Sequence, residues 1–185
     1  MLHQLKDYVK IFKNHVPAQL CDDSVEYLNQ CDFAPHTFVN DQQIETTHTD
    51  GCSSYYDITP YNHMLMQLTH TAIGQYVQSL KFAWMLGWHG FTRPKYNRYV
   101  SGNSMKNHCD HIKDMFDGER RGIPVLSIIC GLNDDYSGGQ LLMFEDQDYS
   151  LAKGDMIIFP SNFLYPHMIT QITSGTRYSF ASWVW

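Results

Sequence analysis

Hydrophobic and polar positions along the 185 residues follow two different periods, and the change falls near position 90. Before it, apolar residues recur mostly at helical spacing. The stretch "PAQLCDDSVEYLNQ" opens with Pro17 and carries Leu20, Val25 and Leu28, which predicts a helix over 17–30. "TPYNHMLMQLTHTAIGQYVQSL" predicts a stronger one over 59–80. Thr59 is placed to cap it, Pro60 suits its first turn, and Leu65, Leu68, Ala72, Ile73, Tyr76, Val77 and Leu80 share a face. "YVKIF" alternates well enough for a short strand. After Gly90 the chain breaks into short apolar runs separated by Gly, Asn, Asp and Pro. Strands are predicted at "YNRYV", "IPVLSIICGL", "QLLMF", "YSL", "MIIF", "HMITQI" and "TRYSFASWVW". The expected architecture is α+β with a mainly β core, in which 1–90 is a helix-rich support and 91–185 is the β portion of a single domain. The strand count leaves sandwich, barrel and jelly roll open.

Composition narrows the class. A hydrophobic share of 43% with 17% charged residues describes a packed globular chain. The formal charge of -6 disfavours nucleic acid as a general partner, since phosphate binding calls for a basic surface. One local exception runs from 93 to 121, where Arg93, Lys95, Arg98, Lys106, Lys113, Arg120 and Arg121 mix with acidic residues. An acidic substrate approaching this region is one reading of it. A solvated mixed-charge surface is the plainer one. Five cysteines, without a CxxC pair, fit a reducing compartment better than a disulfide framework. No apolar run reaches the roughly 18 residues of a membrane span, and "MLHQLKDYVKIFKNHV" lacks a continuous apolar stretch of signal type. Cytoplasmic localisation is therefore the expectation.

The candidate chemistry is concentrated in "NHCDHIKD", where His108, Asp110 and His111 fall within four residues. In an extended chain, i and i+2 share a face while i+3 does not. His108 and Asp110 form a matched pair, and His111 points away from it. A third ligand has to come from elsewhere. Most of the other histidines sit in helical or loop contexts. His167 differs, following a strand and a Pro-ended turn in "GDMIIFPSNFLYPH". Two histidines and one carboxylate form the facial triad of non-haem Fe(II), which leaves three coordination positions open. Zinc accepts the same donors. Ten positions on, the hairpin "HMITQITSGTRYSF" returns Arg177 beside His167 with Ser179 on the same face. An inward arginine is costly without an anion, and guanidinium matches carboxylate in bidentate fashion. Iron with open positions and a buried arginine together suit a co-substrate that chelates metal at one end and ends in a carboxylate at the other.

In this order and spacing the chain resembles the Fe(II)- and 2-oxoglutarate-dependent dioxygenases, and within them the prolyl 4-hydroxylase-like branch. "YVSGNSMKNHCD" resembles the branch's Tyr-x2-Gly approach to His-x-Asp. "LSIICGLNDDYSGGQLLMF" resembles its long strand, Leu-Asn turn and Gly-Gly strand. "AKGDMIIFPSNFLYPHMITQITSGTRYSFASWVW" resembles its distal His, Gly-x-Arg and closing Trp. The likeness covers about half the chain. It implies a double-stranded β-helix (jelly roll) with N-terminal helices buttressing one sheet. It implies His108, Asp110 and His167 as iron ligands, Arg177 for the far carboxylate of 2-oxoglutarate, and Tyr99 and Ser179 as further co-substrate contacts. Trp183 reads as core. The cofactor set implied is Fe(II), 2-oxoglutarate as co-substrate and O2, with ascorbate as an optional addition. Oxidative decarboxylation of 2-oxoglutarate to succinate and CO2 would accompany hydroxylation.

Two positions depart from the pattern. Met105 replaces an aromatic residue three before the first ligand, and Gly131 stands where hypoxia-sensing relatives carry Tyr. A peptidyl proline is the leading substrate implied, with another amino-acid side chain, a free amino acid or a small metabolite as alternatives and nucleic acid as the weakest. Segments 38–56 and 102–122 are expected to shape the entrance. The competing classes are a non-catalytic β-sandwich binding module and a zinc hydrolase on a cupin-like barrel. The binding module predicts no iron binding and no loss of fold or function in Arg177→Met, and the zinc hydrolase gives no reason for Arg177.

Overall fold

The computed structural model describes residues 4–40, 43–46, 51–80, 88–111 and 123–185. A short 3-10 turn at Leu5–Tyr8 leads into β1 (Lys10–Phe12), α1 (Ala18–Leu28), β2 (Ala34–Pro35), β3 (Thr37–Asn40), β4 (Gln43–Thr46), β5 (Ser53–Tyr55) and α2 (Asn62–Leu80). There follow β6 (Lys95–Val100), β7 (Met105–His108), β8 (Leu126–Gly131), β9 (Ser137–Gly138), β10 (Leu141–Met143), β11 (Gln147–Asp148), β12 (Met156–Pro160), β13 (His167–Ile169), β14 (Ile172–Ser174) and β15 (Thr176–Val184).

Seven strands form the large sheet in the order β1-β12-β8-β15-β6-β5-β2, and four form a smaller one in the order β11-β10-β13-β7. The large sheet is apolar on both faces, and its residues alternate between two cores. Met156 and Ile158 of β12, Tyr178, Phe180 and Val184 of β15, and Tyr96 of β6 pack with Leu20, Leu28, Leu65, Ile73 and Tyr76 of the helices. Ile157 and Phe159 of β12 and Tyr99 of β6 turn the other way, toward Met105, Leu141, Met143 and Ile169 of the small sheet. The strand period of two therefore divides the molecule into a helix-backed layer and an interior between the sheets.

Both helices occupy their predicted segments. α2 begins at Asn62, slightly later than the hydrophobic pattern suggests, because Thr59 and Asn62 close the turn ahead of it. The Thr59 hydroxyl donates to Asn62 Oδ1 at 2.7 Å, and Asn62 N–H donates to the Thr59 carbonyl at 3.2 Å. Leu65, Thr69, Ala72, Ile73 and Tyr76 then form its buried stripe. Two strand predictions change. "YSL" lies beyond β11, where Tyr149 N–H donates to the Leu141 carbonyl across the β10–β11 hairpin. "HMITQI" divides into β13 and β14, which pair with different strands, β10 and β9. The N-terminal segment also contributes more strand than its helical pattern announces. β1 pairs with β12, and β5 pairs with β6, so residues before 60 flank both edges of the large sheet.

One turn ties β1 to the core. Asp155 is buried and accepts from Lys13 Nζ at 2.7 Å, Asn14 N–H at 2.9 Å and Ala152 N–H at 3.1 Å. Preceding it, Gly154 has φ +83°, and a Cβ there would overlap the Val16 carbonyl oxygen. Burial opposes ionisation of Asp155, but the three donors outweigh it and hold the carboxyl below its usual value. A depressed carboxyl contributes stability that is complete above the unfolded-state pKa and lost as pH falls through the folded-state value. The urea midpoint of the native protein should thus drop between about pH 5 and pH 2 more steeply than that of Asp155→Asn. Parallel curves would remove Asp155 from the acid response.

Candidate metal centre

The small sheet delivers two histidines to each other. His108 ends β7, His167 begins β13, and the two are directly paired across the strands, with ring centroids 4.4 Å apart. Asp110 lies in a bend two residues beyond β7 and joins them. One ligand atom from each of His108, Asp110 and His167 falls within 4.8 Å of the other two. The period-two argument thus selects the right pair even though Asp110 is past the strand end. His111 lies elsewhere and stacks edge-on against Phe163 at 6.2 Å.

Each donor is oriented by a separate hydrogen bond. His108 Nδ1–H donates to the Lys106 carbonyl at 2.8 Å, and His167 Nδ1–H donates to the Tyr165 carbonyl at 3.2 Å. That tautomer puts the lone pair on Nε2 in both rings. Burial first, and then the neighbouring His167, lower His108 to about 4, so it is a neutral base at physiological pH. Asp110 divides its two oxygens. Oδ2 accepts the Ser127 hydroxyl at 2.6 Å and the Trp183 indole N–H at 2.9 Å. Oδ1 lies 3.7 Å from His108 Nε2. Burial opposes the charge on Asp110, yet His167, His108, Ser127 and Trp183 together hold its pKa below the usual value. Two imidazole nitrogens and one singly available carboxylate oxygen fit a divalent metal of the facial-triad kind.

Trp183 therefore corrects its expected role as core. It is half-buried and belongs to the site. Ser127 was not anticipated at all. The two residues are in register across β8 and β15, which is why both reach the same carboxylate oxygen. The signal for Trp183 lay in the strand itself, because Arg177, Ser179, Ala181 and Trp183 alternate onto one face.

Deeper along that face is the predicted co-substrate cluster. Arg177 is 2% exposed and is paired in register with Tyr99. Its Nη1 donates to Ser179 Oγ at 2.9 Å, and its guanidinium carbon lies 5.1 Å from the Tyr99 ring centre. Among the described residues it has no carboxylate partner. Burial raises the Tyr99 phenol well above its usual pKa, so it stays a protonated donor. Of the two departures, Met105 is buried in the interior core. Gly131 has a backbone reason, since a Cβ there would come within 2.9 Å of the Ala152 carbonyl oxygen and 3.2 Å of Leu151 Cβ. The expected entrance segments are only partly visible, since 41–42, 47–50 and 112–122 lie outside the described residues, as do Lys113, Arg120 and Arg121.

On the described portion of that wall, Lys95 is half-buried. Its Nζ stands 5.5 Å from the Tyr56 ring centre and 5.6 Å from that of Trp183. Burial lowers its ammonium pKa to about 8, against the opposing pull of Cys52 and Asp110. His36 Nδ1 is 3.0 Å from Ser54 Oγ, which donates to Asn97 Oδ1 at 2.9 Å.

Comparison with known proteins agrees with this geometry. Two solved structures superpose over nearly the whole chain. One is a prolyl-4-hydroxylase from Pseudomonas putida, with a TM-score of 0.69 and 18% identity over 96% of this chain and 91% of that one. The other is a Trichoplax adhaerens prolyl hydroxylase in complex with a hypoxia inducible factor peptide fragment, with a TM-score of 0.74 and 15% identity over 97% and 84%. The fold is thus a double-stranded β-helix of the prolyl hydroxylase kind. Residues 94–185 match the 2OG-Fe(II) oxygenase superfamily, and the chain belongs to that family. A PKHD-type hydroxylase of Delftia acidovorans is 34% identical over 96 residues, 49% of this chain and 42% of that protein. The match therefore spans about two-fifths of that relative's length. A PKHD-type hydroxylase of Acinetobacter baumannii is 27% identical over all of this chain and 78% of its own. The family implies Fe(II), 2-oxoglutarate and O2. No helix among the described residues is long and apolar enough to cross a membrane.

Partners of a ligating carboxylate's second oxygen set its aim. Ser127→Ala and Trp183→Phe should each lower Fe(II) affinity by about 10–100-fold, read by anaerobic calorimetry. Unchanged affinity in both would mean that Asp110 is aimed without them.

Proposed function

We propose that the protein is an Fe(II)- and 2-oxoglutarate-dependent hydroxylase, formed by 1–185 as one unit, that acts on a peptidyl prolyl residue or a related amino-acid substrate. The observation that carries this reading is the presence of two features in the interior between the sheets: the convergent donors His108, Asp110 and His167, and the guanidinium of Arg177, which has no carboxylate partner among the described residues. Bound Fe(II) and 2-oxoglutarate supply the oxidising chemistry, in which substrate, 2-oxoglutarate and O2 give hydroxylated product, succinate and CO2.

The chain's own residues hold and shield. His108 and His167 offer Nε2, and Asp110 offers Oδ1 while Ser127 and Trp183 retain Oδ2. Arg177 receives the far carboxylate of the co-substrate in bidentate fashion, with Ser179 bracing its Nη1 and Tyr99 supplying a protonated phenol beside it. Met105, Leu141, Met143, Ile157 and Phe159 keep the interior apolar, which strengthens each charge contact made there. A prolyl substrate draws support from the prolyl hydroxylase fold and from the peptide bound by the Trichoplax structure.

Protein reconstituted anaerobically with Fe(II) and exposed to O2 should convert 2-oxoglutarate to succinate. Arg177→Met removes a charge-assisted pair and should weaken 2-oxoglutarate binding by about 10–100-fold. Asp110→Ala should abolish turnover. Full turnover in either the His108→Ala or the Asp110→Ala variant would overturn the ligand assignment, and the absence of 2-oxoglutarate binding would overturn the enzyme.

A further inference from the structure

The interior wall carries a second cation that the co-substrate does not account for. β6 and β15 run antiparallel, and their inward residues form three facing pairs: Tyr99 with Arg177, Asn97 with Ser179, and Lys95 with Ala181. Lys95 is four residues along β6 from the Arg177 level, a rise of about 13 Å. It stands at the end of the wall where Trp183 reaches Asp110. Its ammonium lies 5.6 Å from the centre of the indole ring whose N–H bonds the Asp110 carboxylate. A 2-oxoglutarate held at one carboxylate by Arg177 and at the other by a metal bound to His108, Asp110 and His167 would have both carboxylates met without Lys95.

The surroundings of Lys95 specify its partner. Two aromatic faces, Tyr56 and Trp183, flank the ammonium, and no carboxylate in the described residues pairs with it. The nearby Asp110 is committed to Ser127, Trp183 and the histidines. Lysine buried this far without a counter-ion is costly, and π faces only partly offset the lost hydration. A solvated surface lysine would have no reason to enter this wall. Its stem also leaves room for an incoming group, because the opposite register position is the small side chain of Ala181. Tyr56 is 53% exposed, so the flank facing it is reachable from outside.

We propose that Lys95 receives a carboxylate of the prime substrate, making the protein selective for carboxylate-bearing molecules whose oxidised carbon lies a few bonds from that group. The inference rests on the oxygenase reading above and narrows its substrate class. A free amino acid presents such a carboxylate on its own backbone. An acidic side chain next to the target residue of a peptide presents the same chemistry.

The test uses the native protein with Fe(II) and 2-oxoglutarate under nitrogen, and reads accessibility of each lysine by acetic anhydride labelling and mass spectrometry. The probes are L-proline against L-prolinamide, and acetyl-Pro-Asp-amide against acetyl-Pro-Asn-amide. At ten times its half-maximal concentration, an acid that engages Lys95 should lower labelling there about tenfold by mass action. The exposed Lys6 should be unaffected. The amide partner of that acid should give no protection. Protection by L-proline alone assigns a free acid, and protection by the aspartyl peptide alone assigns an acidic peptide. Equal protection by acid and amide, or none from either acid, overturns the proposal. Loss of Lys95 labelling on adding 2-oxoglutarate alone also overturns it, by placing Lys95 in the co-substrate site. Calorimetry of 2-oxoglutarate with Arg177→Met runs alongside. Absence of 2-oxoglutarate binding to the native protein removes the oxygenase reading, whereas failure at Lys95 leaves that reading standing.

Discussion

Pairing of β15 with β6 on one side and β8 on the other holds the site together, because the same nine residues must satisfy two environments. Tyr178, Phe180 and Val184 face the helices, while Arg177, Ser179 and Trp183 face the interior between the sheets. A slip of one residue would exchange those sets, burying the guanidinium among the helices and presenting phenylalanine to the metal donors. The apolar packing of one face therefore enforces the register of the polar face. This is a stronger constraint than any hydrogen bond within the site, because several large side chains would have to leave their core at once.

Charge in the interior is arranged as a gradient of commitment. Asp110 is fully engaged, with one oxygen taken by Ser127 and Trp183 and the other toward the histidines. Arg177 is half engaged, braced by Ser179 and Tyr99 but without an anion among the described residues. The histidines are aimed by carbonyls of their own segments. Cationic and neutral groups thus await anions and a metal, while the fixed anion is already oriented. Such a wall suits a doubly charged co-substrate better than a neutral one.

Much of this was legible in sequence because the informative signals were periodic. Strand alternation pairs Arg177 with Ser179, which share a face of β15, and the same i, i+2 reading pairs His108 with Asp110, which the structure brings together although Asp110 lies past the end of β7. The helices were legible from their apolar stripes. Ser127 was hidden because its importance depends on being in register with Trp183, a pairing that spans more than fifty residues and leaves no local mark. Trp183 was misread because a large aromatic near the end of a β strand ordinarily packs in a core, and its indole N–H needs a partner that only the fold reveals. β1 was legible in "YVKIF", whereas β2 and β5 were obscured because strands of two or three residues are too short to show alternation. Lys95 read as one charge in a mixed surface run until the sheet turned it inward.

The two ways of aiming the donors differ in how far apart in the chain their partners lie. Each histidine is oriented by a carbonyl two residues before it, whereas Asp110 is held by residues 17 and 73 positions later. The rotation of each imidazole is therefore fixed within its own segment, while the aim of the carboxylate depends on β8 and β15, two strands that supply no ligand. A change in how those strands sit against each other would turn the oxygen while leaving both nitrogens where they are. The large sheet thus acts as a tuning element for a donor set that belongs to the small one.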